Sequence, residues 1–185
     1  MKDLSWKTLS SEYLFKETWF TLRSDTCEAP DGRIITPYYV YEFPSWVFAV
    51  ALTADGKFIL ERQYRHALGT TNYELPGGCV DETDASLEAA LRRELLEETG
   101  YQFDAVEYLG KTSANPSTHN NWGHFFLATG GRRVQEQHLD FNEEIEVYCY
   151  TLDELKALLR EGGIIQSMHV TALFYALTRL GHLQW

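Results

Sequence analysis

The sequence predicts an α+β fold, an α/β/α sandwich around a mixed sheet, with a small N-terminal β-hairpin subdomain. Three observations predict it. Residues 1–43 are rich in aromatic and β-branched residues and contain a hairpin signal. Residues 46–64 read as a second hairpin whose first strand, Trp46 to Leu52, is continuously apolar, as in a strand covered on both faces. Beyond residue 85 the periodicity runs helix, strands, helices. The expected division is an N-terminal β subdomain over 1–43 and a main domain over 44–185.

Each element follows from local chemistry. Asp31-Gly32 lies between Cys27-Glu28-Ala29 and Ile34-Ile35-Thr36, a turn dipeptide between strand formers, and Pro37 to Phe43 reads as the return strand. Asp55-Gly56 turns the second hairpin into Phe58 to Tyr64. Residues 69–83 are expected to be loop, centred on Pro76-Gly77-Gly78. A helix is expected from Ala85 to Thr99, with Asp84 as its N-cap and Gly100 at C′. Leu87, Ala90, Leu91 and Leu95 give that helix its apolar stripe. Strand-like segments follow near 104–110, 122–129 and 145–151. Thr151-Leu152-Asp153-Glu154 is a capping box opening a helix through Arg160, and a last amphipathic helix covers 166–180.

Composition bounds the function. With 44% hydrophobic and 23% charged residues the chain matches globular averages, which excludes disorder, collagen-like repeats and coiled coil. Cys27, Cys79 and Cys149 contain no C-x-x-C and supply neither a disulfide framework nor a zinc site. Met1 to Lys7 lacks the apolar stretch of a signal peptide, and no run of about 18 apolar residues occurs, so a cytoplasmic location without a membrane span is expected. Sixteen Lys and Arg against 27 Asp and Glu give a net charge of −11, which argues against nucleic acid or an anionic membrane as partner. A polyanionic small ligand would need metal cations or a local arginine cluster to offset the repulsion.

The informative segment is Arg93-Glu94-Leu95-Leu96-Glu97-Glu98-Thr99-Gly100-Tyr101. Glu94, Glu97 and Glu98 stand at i, i+3 and i+4, so their carboxylates share one helix face. Like charges at i,i+4 repel, and anions in a last helical turn oppose the helix dipole at a cost of about 0.3–1 kcal/mol each. Both costs vanish if a divalent cation binds there, and oxygen donors suit Mg²⁺, with Mn²⁺ as its substitute. The plainer alternative is a solvated acidic face. Glu74-Leu75-Pro76-Gly77-Gly78 brings slim backbone toward that helix, where the Gly77 carbonyl would join the metal shell; a tight turn is the alternative. No Walker A loop, G-x-G-x-x-G, H-E-x-x-H or G-x-S-x-G occurs.

Residues Gly78 to Tyr101 resemble the box of the Nudix hydrolase family, G-x5-E-x7-R-E-U-x-E-E-x-G-U, with U a bulky apolar residue. Arg93, Glu94, Leu95, Glu97, Glu98, Gly100 and Tyr101 match its second half in full. Its first half is displaced by one residue: counted from Gly78, the first acidic position falls on Asp84, and counted back from Arg93, on Ala85. This reads as a one-residue insertion near the helix start. The resemblance implies a Nudix-type fold and Mg²⁺-dependent hydrolysis of a nucleoside diphosphate linked to a further group. It makes Glu94, Glu97, Glu98 and the Gly77 carbonyl metal ligands, with Glu97 and Arg93 catalytic and Arg93 orienting the glutamates.

The hairpin subdomain, Arg62-Gln63-Tyr64-Arg65, the Glu74–Gly78 loop and Glu143-Glu144-Ile145-Glu146-Val147 are similar to the ADP-ribose and nucleoside diphosphate sugar pyrophosphatase branch. That similarity implies Arg65 and Glu74 as substrate contacts and Glu143, then Glu144, as base or extra metal ligand. It also implies a homodimer through the N-terminal subdomain, with aromatic residues such as Tyr39, Tyr41 and Trp46 stacking on the base. Exposed acidic turns, a surface ion pair at Arg65 and ordinary strand packing are the corresponding plain readings. The other functional readings are a Nudix hydrolase of nucleoside triphosphates or dinucleoside polyphosphates, and a non-catalytic nucleotide-sugar sensor. His119 and His124 lie on or beside a polar loop over 113–121, and Cys79 adjoins the box without a basic neighbour in sequence.

Overall fold

The computed structural model describes residues 1–17 and 20–183. They fall into two compact units, one within 1–44 together with 113–121, the other over 45–112 together with 122–183.

In the first unit, β1 (Lys7–Glu17), β2 (Phe20–Glu28) and β3 (Ile34–Glu42) form an antiparallel sheet in that order. The turn at Asp31-Gly32 closes as expected. Gly32 takes φ +83°, its N–H donates to Ala29 O at 2.9 Å, and Ala29 N–H donates to Arg33 O. Arg23 pairs with both Asp25 and Glu42, which offsets the burial of Asp25. The polar segment 113–121 belongs to this unit. Tyr41 N–H donates to Thr118 O at 2.7 Å, Tyr38 Oη to Ser117 O at 2.7 Å, and the His119 ring stacks on Phe43 with centroids 5.2 Å apart.

The second unit follows in chain order as β4 (Trp46–Thr53), β5 (Phe58–Arg65), β6 (Thr70–Glu74), β7 (Gly77–Cys79), α1 (Leu87–Thr99), β8 (Tyr101–Gln102), β9 (Ala105–Thr112), β10 (Gly123–Arg133), β11 (Ile145–Tyr150), α2 (Leu152–Arg160) and α3 (Ser167–Arg179). The sheet runs β11-β5-β4-β10-β8, with β6 on β5, β7 on β4 and β9 on β10. It is mixed: β10 lies parallel to β4 and the other pairs are antiparallel. Alternation along β4 explains its unbroken apolar sequence. Val47, Ala49 and Ala51 pack with Ala90, Leu91 and Leu95 of α1, while Phe48 and Val50 pack with Leu155 of α2 and Met168, Ala172 and Leu173 of α3. Each fully buried leucine contributes about 1.5–3 kcal/mol by leaving water.

Two expectations are corrected. Residues 69–83 are not all loop, because β6 and β7 lie within them. Thr70-Thr71-Asn72 is polar and Gly77-Gly78-Cys79 carries no side-chain alternation, so pairing with β5 and β4 makes these strands, not local pattern. The N-cap of α1 is Ser86, not Asp84: Ser86 has extended φ and ψ and its Oγ accepts from Ala89 N–H at 3.1 Å. Gly100 ends α1 at φ +76° with its N–H on Leu96 O, and the Thr151–Glu154 capping box forms as its spacing predicts. Among the described residues no helix is long and apolar enough to cross a membrane.

Candidate active site

Helix α1 presents its acidic face around one cation, Arg93. The guanidinium grips Asp84 through two hydrogen bonds, Nη2 to Oδ2 at 2.9 Å and Nε to Oδ1 at 3.2 Å. Nη1 reaches Glu94 Oε1 at 3.0 Å and Glu97 Oε2 at 3.1 Å, and Nη2 also donates to the Cys79 carbonyl at 3.1 Å. Two elements and the loop between them are thereby tied to one planar fork, which suits arginine better than lysine. Asp84 thus anchors Arg93 rather than capping the helix.

The Glu74–Gly78 loop supplies the opposite wall. Gly77 N–H donates to Glu98 Oε2 at 2.7 Å. A Cβ on Gly77, whose φ is +144°, would be driven into the Val47 carbonyl, and a Cβ on Gly78 would lie 2.6 Å from Glu94 Oε1. Both glycines are required by close approach. His169 of α3 holds the loop from behind, its Nδ1 accepting from Leu75 N–H at 3.2 Å in a buried setting that lowers the imidazole to about 4. Arg65 is bound to the buried Glu74 by two hydrogen bonds of 2.9 and 2.7 Å, so these two expected substrate contacts meet each other.

The last turn of α1 tolerates its acids because its carbonyls are capped from elsewhere. His138 N–H donates to Glu97 O at 2.8 Å and Gln137 Nε2 to Glu98 O at 2.6 Å. These bonds fasten the loop that carries Glu143 and Glu144. Both glutamates are exposed, and the charge of Glu143 is felt at Glu61, Glu94 and Glu98.

Burial dominates the electrostatics. Desolvation lifts the Glu94 carboxyl to about 7 against the pull of Arg93. Glu98, 5% exposed, is held well above the ordinary carboxylate range by burial and then by the charges of Glu61 and Glu94. Glu61 of β5 is fully enclosed and raised chiefly by burial, and among the described residues no N–H or hydroxyl donates to its oxygens, which face the Glu98 carboxyl. The Cys79 thiol is pushed up by burial and by Glu94, away from the reactive thiolate.

Sequence reasoning missed Glu61, Gln137, His138 and His169. None left a local signal: Glu61 alternates along β5 like a solvent-facing acid, and only the packing of Ile59 under α1 shows that its face is covered. The expected aromatic contacts divide between the two units. Tyr39 is exposed on β3, Tyr41 packs against Phe20 and His119, and Trp46 opens β4 beside the core.

Among the described residues no three His, Cys, Asp or Glu side chains are gathered as they stand to hold an ion. The donor set nevertheless fits a divalent cation. Buried carboxylate oxygens without donors, crowded by like charge, are what a hard oxygen-seeking ion relieves.

Comparison with known proteins places the chain in a family. Residues 6–41 match the nucleoside diphosphate sugar hydrolase N-terminal domain and residues 43–169 match the NUDIX domain. The chain is 29% identical to the methanol dehydrogenase activator of Bacillus methanolicus, over 91% of each chain. It is also 29% identical to the ADP-ribose pyrophosphatase of Bacillus subtilis (strain 168), over 95% of this chain and 94% of that one. A crystal structure of an ADP compounds hydrolase superposes with a TM-score of 0.84 at 24% identity, covering 99% of this chain and all of that one, and shows the same fold. With the carboxylates gathered by Arg93 lying inside a NUDIX match that spans more than half of its length, the chain belongs to the NUDIX family.

Proposed function

We propose that the protein is a pyrophosphohydrolase that uses Mg²⁺, or Mn²⁺ in its place, to cleave ADP-ribose or a related nucleoside diphosphate sugar into a nucleoside monophosphate and a sugar phosphate. The observation that carries this reading is the convergence of Glu94 and Glu97 on Arg93, with Glu98 tied to the Gly77 N–H beside them. Glu94, Glu97, Glu98 and the Gly77 carbonyl would hold the ion. When bound, it would neutralise the diphosphate and lower the pKa of the attacking water.

The remaining roles fall to the chain's own residues. Arg93 fixes the rotamers of Glu94 and Glu97, so the donor set is organised before substrate arrives. Arg65, braced by Glu74, faces the phosphate oxygens and offsets their charge. Glu143, exposed beside the cluster, accepts the proton of the water that attacks phosphorus as the P–O–P bond breaks; Glu144 is the second choice. Tyr39, Tyr41 and Trp46 are the candidate surfaces for the base. The exposed Leu9, Tyr13, Leu14 and Phe15 of β1 support dimerisation through the N-terminal sheet in a cytoplasmic enzyme.

The test is product analysis after incubation with ADP-ribose, GDP-mannose, UDP-glucose and dATP, with and without Mg²⁺. Mg²⁺-dependent release of AMP and ribose 5-phosphate is the expected result. Preference for dATP would move the protein to the triphosphate readers. Thermal stabilisation by a nucleotide sugar without turnover would favour a sensor, with the one-residue insertion before α1 as its cause.

A further inference from the structure

Glu61 is costly as it stands. It sits at the centre of β5 with no exposed surface, directly opposite Glu74 in the ladder with β6 and opposite Val147 in the ladder with β11. Like charges facing each other across an antiparallel pair destabilise a sheet. An ionised carboxylate buried without a partner costs several kcal/mol. No N–H or hydroxyl group of the described residues donates to either Glu61 oxygen, and its carboxyl faces and hydrogen-bonds the Glu98 carboxyl. A hydrophobic residue would fill the position at no such cost.

Charge counting shows what is missing. The nearby cation Arg65 is bound to Glu74 through Nε and Nη2, and its pull on Glu61 is outweighed by burial and by the charge of Glu74. Arg93 is taken by Asp84, Glu94 and Glu97. Glu61 and Glu98 are left as two buried, facing carboxyls, of which Glu98 also accepts from the Gly77 N–H. Two facing carboxyls with four oxygens in a dry pocket would give up their protons to one divalent cation, whose charge the two resulting carboxylates match. Periodicity agrees: Ile59 packs under α1, so Glu61, two residues on, points to the side from which Glu98 descends.

We infer that Glu61 is a ligand of the divalent cation, sharing it with Glu98, so that the metal site spans strand β5 as well as helix α1. This rests on the metal-dependent reading above, and a strand ligand would add rigidity to a site otherwise built on a helix and a loop.

The deciding experiment is a crystal of the wild-type protein soaked in MnCl₂ and measured at an anomalous wavelength. An anomalous peak bonded to both Glu61 Oε and Glu98 Oε at about 2.1–2.2 Å is expected. Calorimetric Mn²⁺ titration of Glu61→Gln and Glu61→Leu should show binding weakened at least about tenfold. Metal-free Glu61→Leu should melt no lower than wild type, since it replaces a buried carboxyl with an apolar side chain of similar size. A peak bonded to Glu94, Glu97 or Glu98 and not to Glu61 would overturn the inference while leaving the proposed function standing. Absence of Mn²⁺ from all of these carboxylates would overturn both. The wild-type map decides even if neither variant folds.

Discussion

Glu98 combines three properties at one residue: burial, the Gly77 N–H on one oxygen, and like-charged neighbours in Glu61 and Glu94. Glutamine keeps its shape and removes its charge. Glu98→Gln should therefore keep the melting temperature at or above wild type while turnover falls below about a tenth. A folded variant with a higher rate would remove Glu98 from the metal site. The two loop glycines separate function from fold in the same way. Alanine at 78 meets the far end of the Glu94 side chain at 2.6 Å, which can swing aside, so Gly78→Ala should lose about tenfold or more in activity with little change in stability. Alanine at 77 meets backbone at a positive φ, so Gly77→Ala should cost more than about 2 kcal/mol in urea unfolding. Reversal of that order would show that Glu94 is not positioned by the loop.

Helix α1 joins packing and chemistry along one element. Its stripe of Ala90, Leu91 and Leu95 is fully buried, Glu94 and Glu98 continue that face toward the Glu74–Gly78 loop, and Arg93 and Glu97 lie along its more exposed edge. Ser86 and Asp84, two residues apart, do different work at its start. Ser86→Ala should cost about 1 kcal/mol with near-normal kinetics, because it removes a cap. Asp84→Ala should raise the Mg²⁺ concentration needed for half-maximal rate, because it frees Arg93 at both of its Asp84 contacts. Unfolding curves alongside Mg²⁺ titrations of the two variants check this. An Asp84→Ala protein with unchanged metal dependence would contradict the anchoring role.

At the scale of the molecule, His169 couples the α3 layer to the loop that forms the site, and it makes stability depend on pH. Its folded pKa, about 4, lies below the unfolded 6.5, so the unfolded chain takes up the proton first. The stability it contributes is present above pH 6.5 and lost as pH falls toward 4, on the order of 3 kcal/mol for this fully buried ring. His169→Asn, which keeps an acceptor for Leu75 N–H, should flatten the unfolding free energy over that window. Equal slopes in variant and wild type would assign the acid sensitivity to other groups. Of the buried acids, Glu74 is answered by Arg65, while Glu61 and Glu98 face each other away from solvent.

The sequence by itself determined the elements that announce themselves locally: the turn at Asp31-Gly32, the doubly covered strand Trp46 to Leu52, the Gly100 stop of α1 and the capping box at Thr151. It also placed Glu94, Glu97 and Glu98 on one face, because helical spacing is a short-range geometry that needs no partner to be read. Tertiary structure decided what depends on residues far apart in the chain. Strands β6 and β7 exist because β5 and β4 pair with them. The pairing of Arg65 with Glu74 follows from ladder register, and the capping of the α1 carbonyls by Gln137 and His138 from where a distant loop returns. The burial of Glu61 was illegible for the same reason. An acid on a strand looks like a solvent-facing residue until the helix that covers it, and the carboxyl it meets there, are in place.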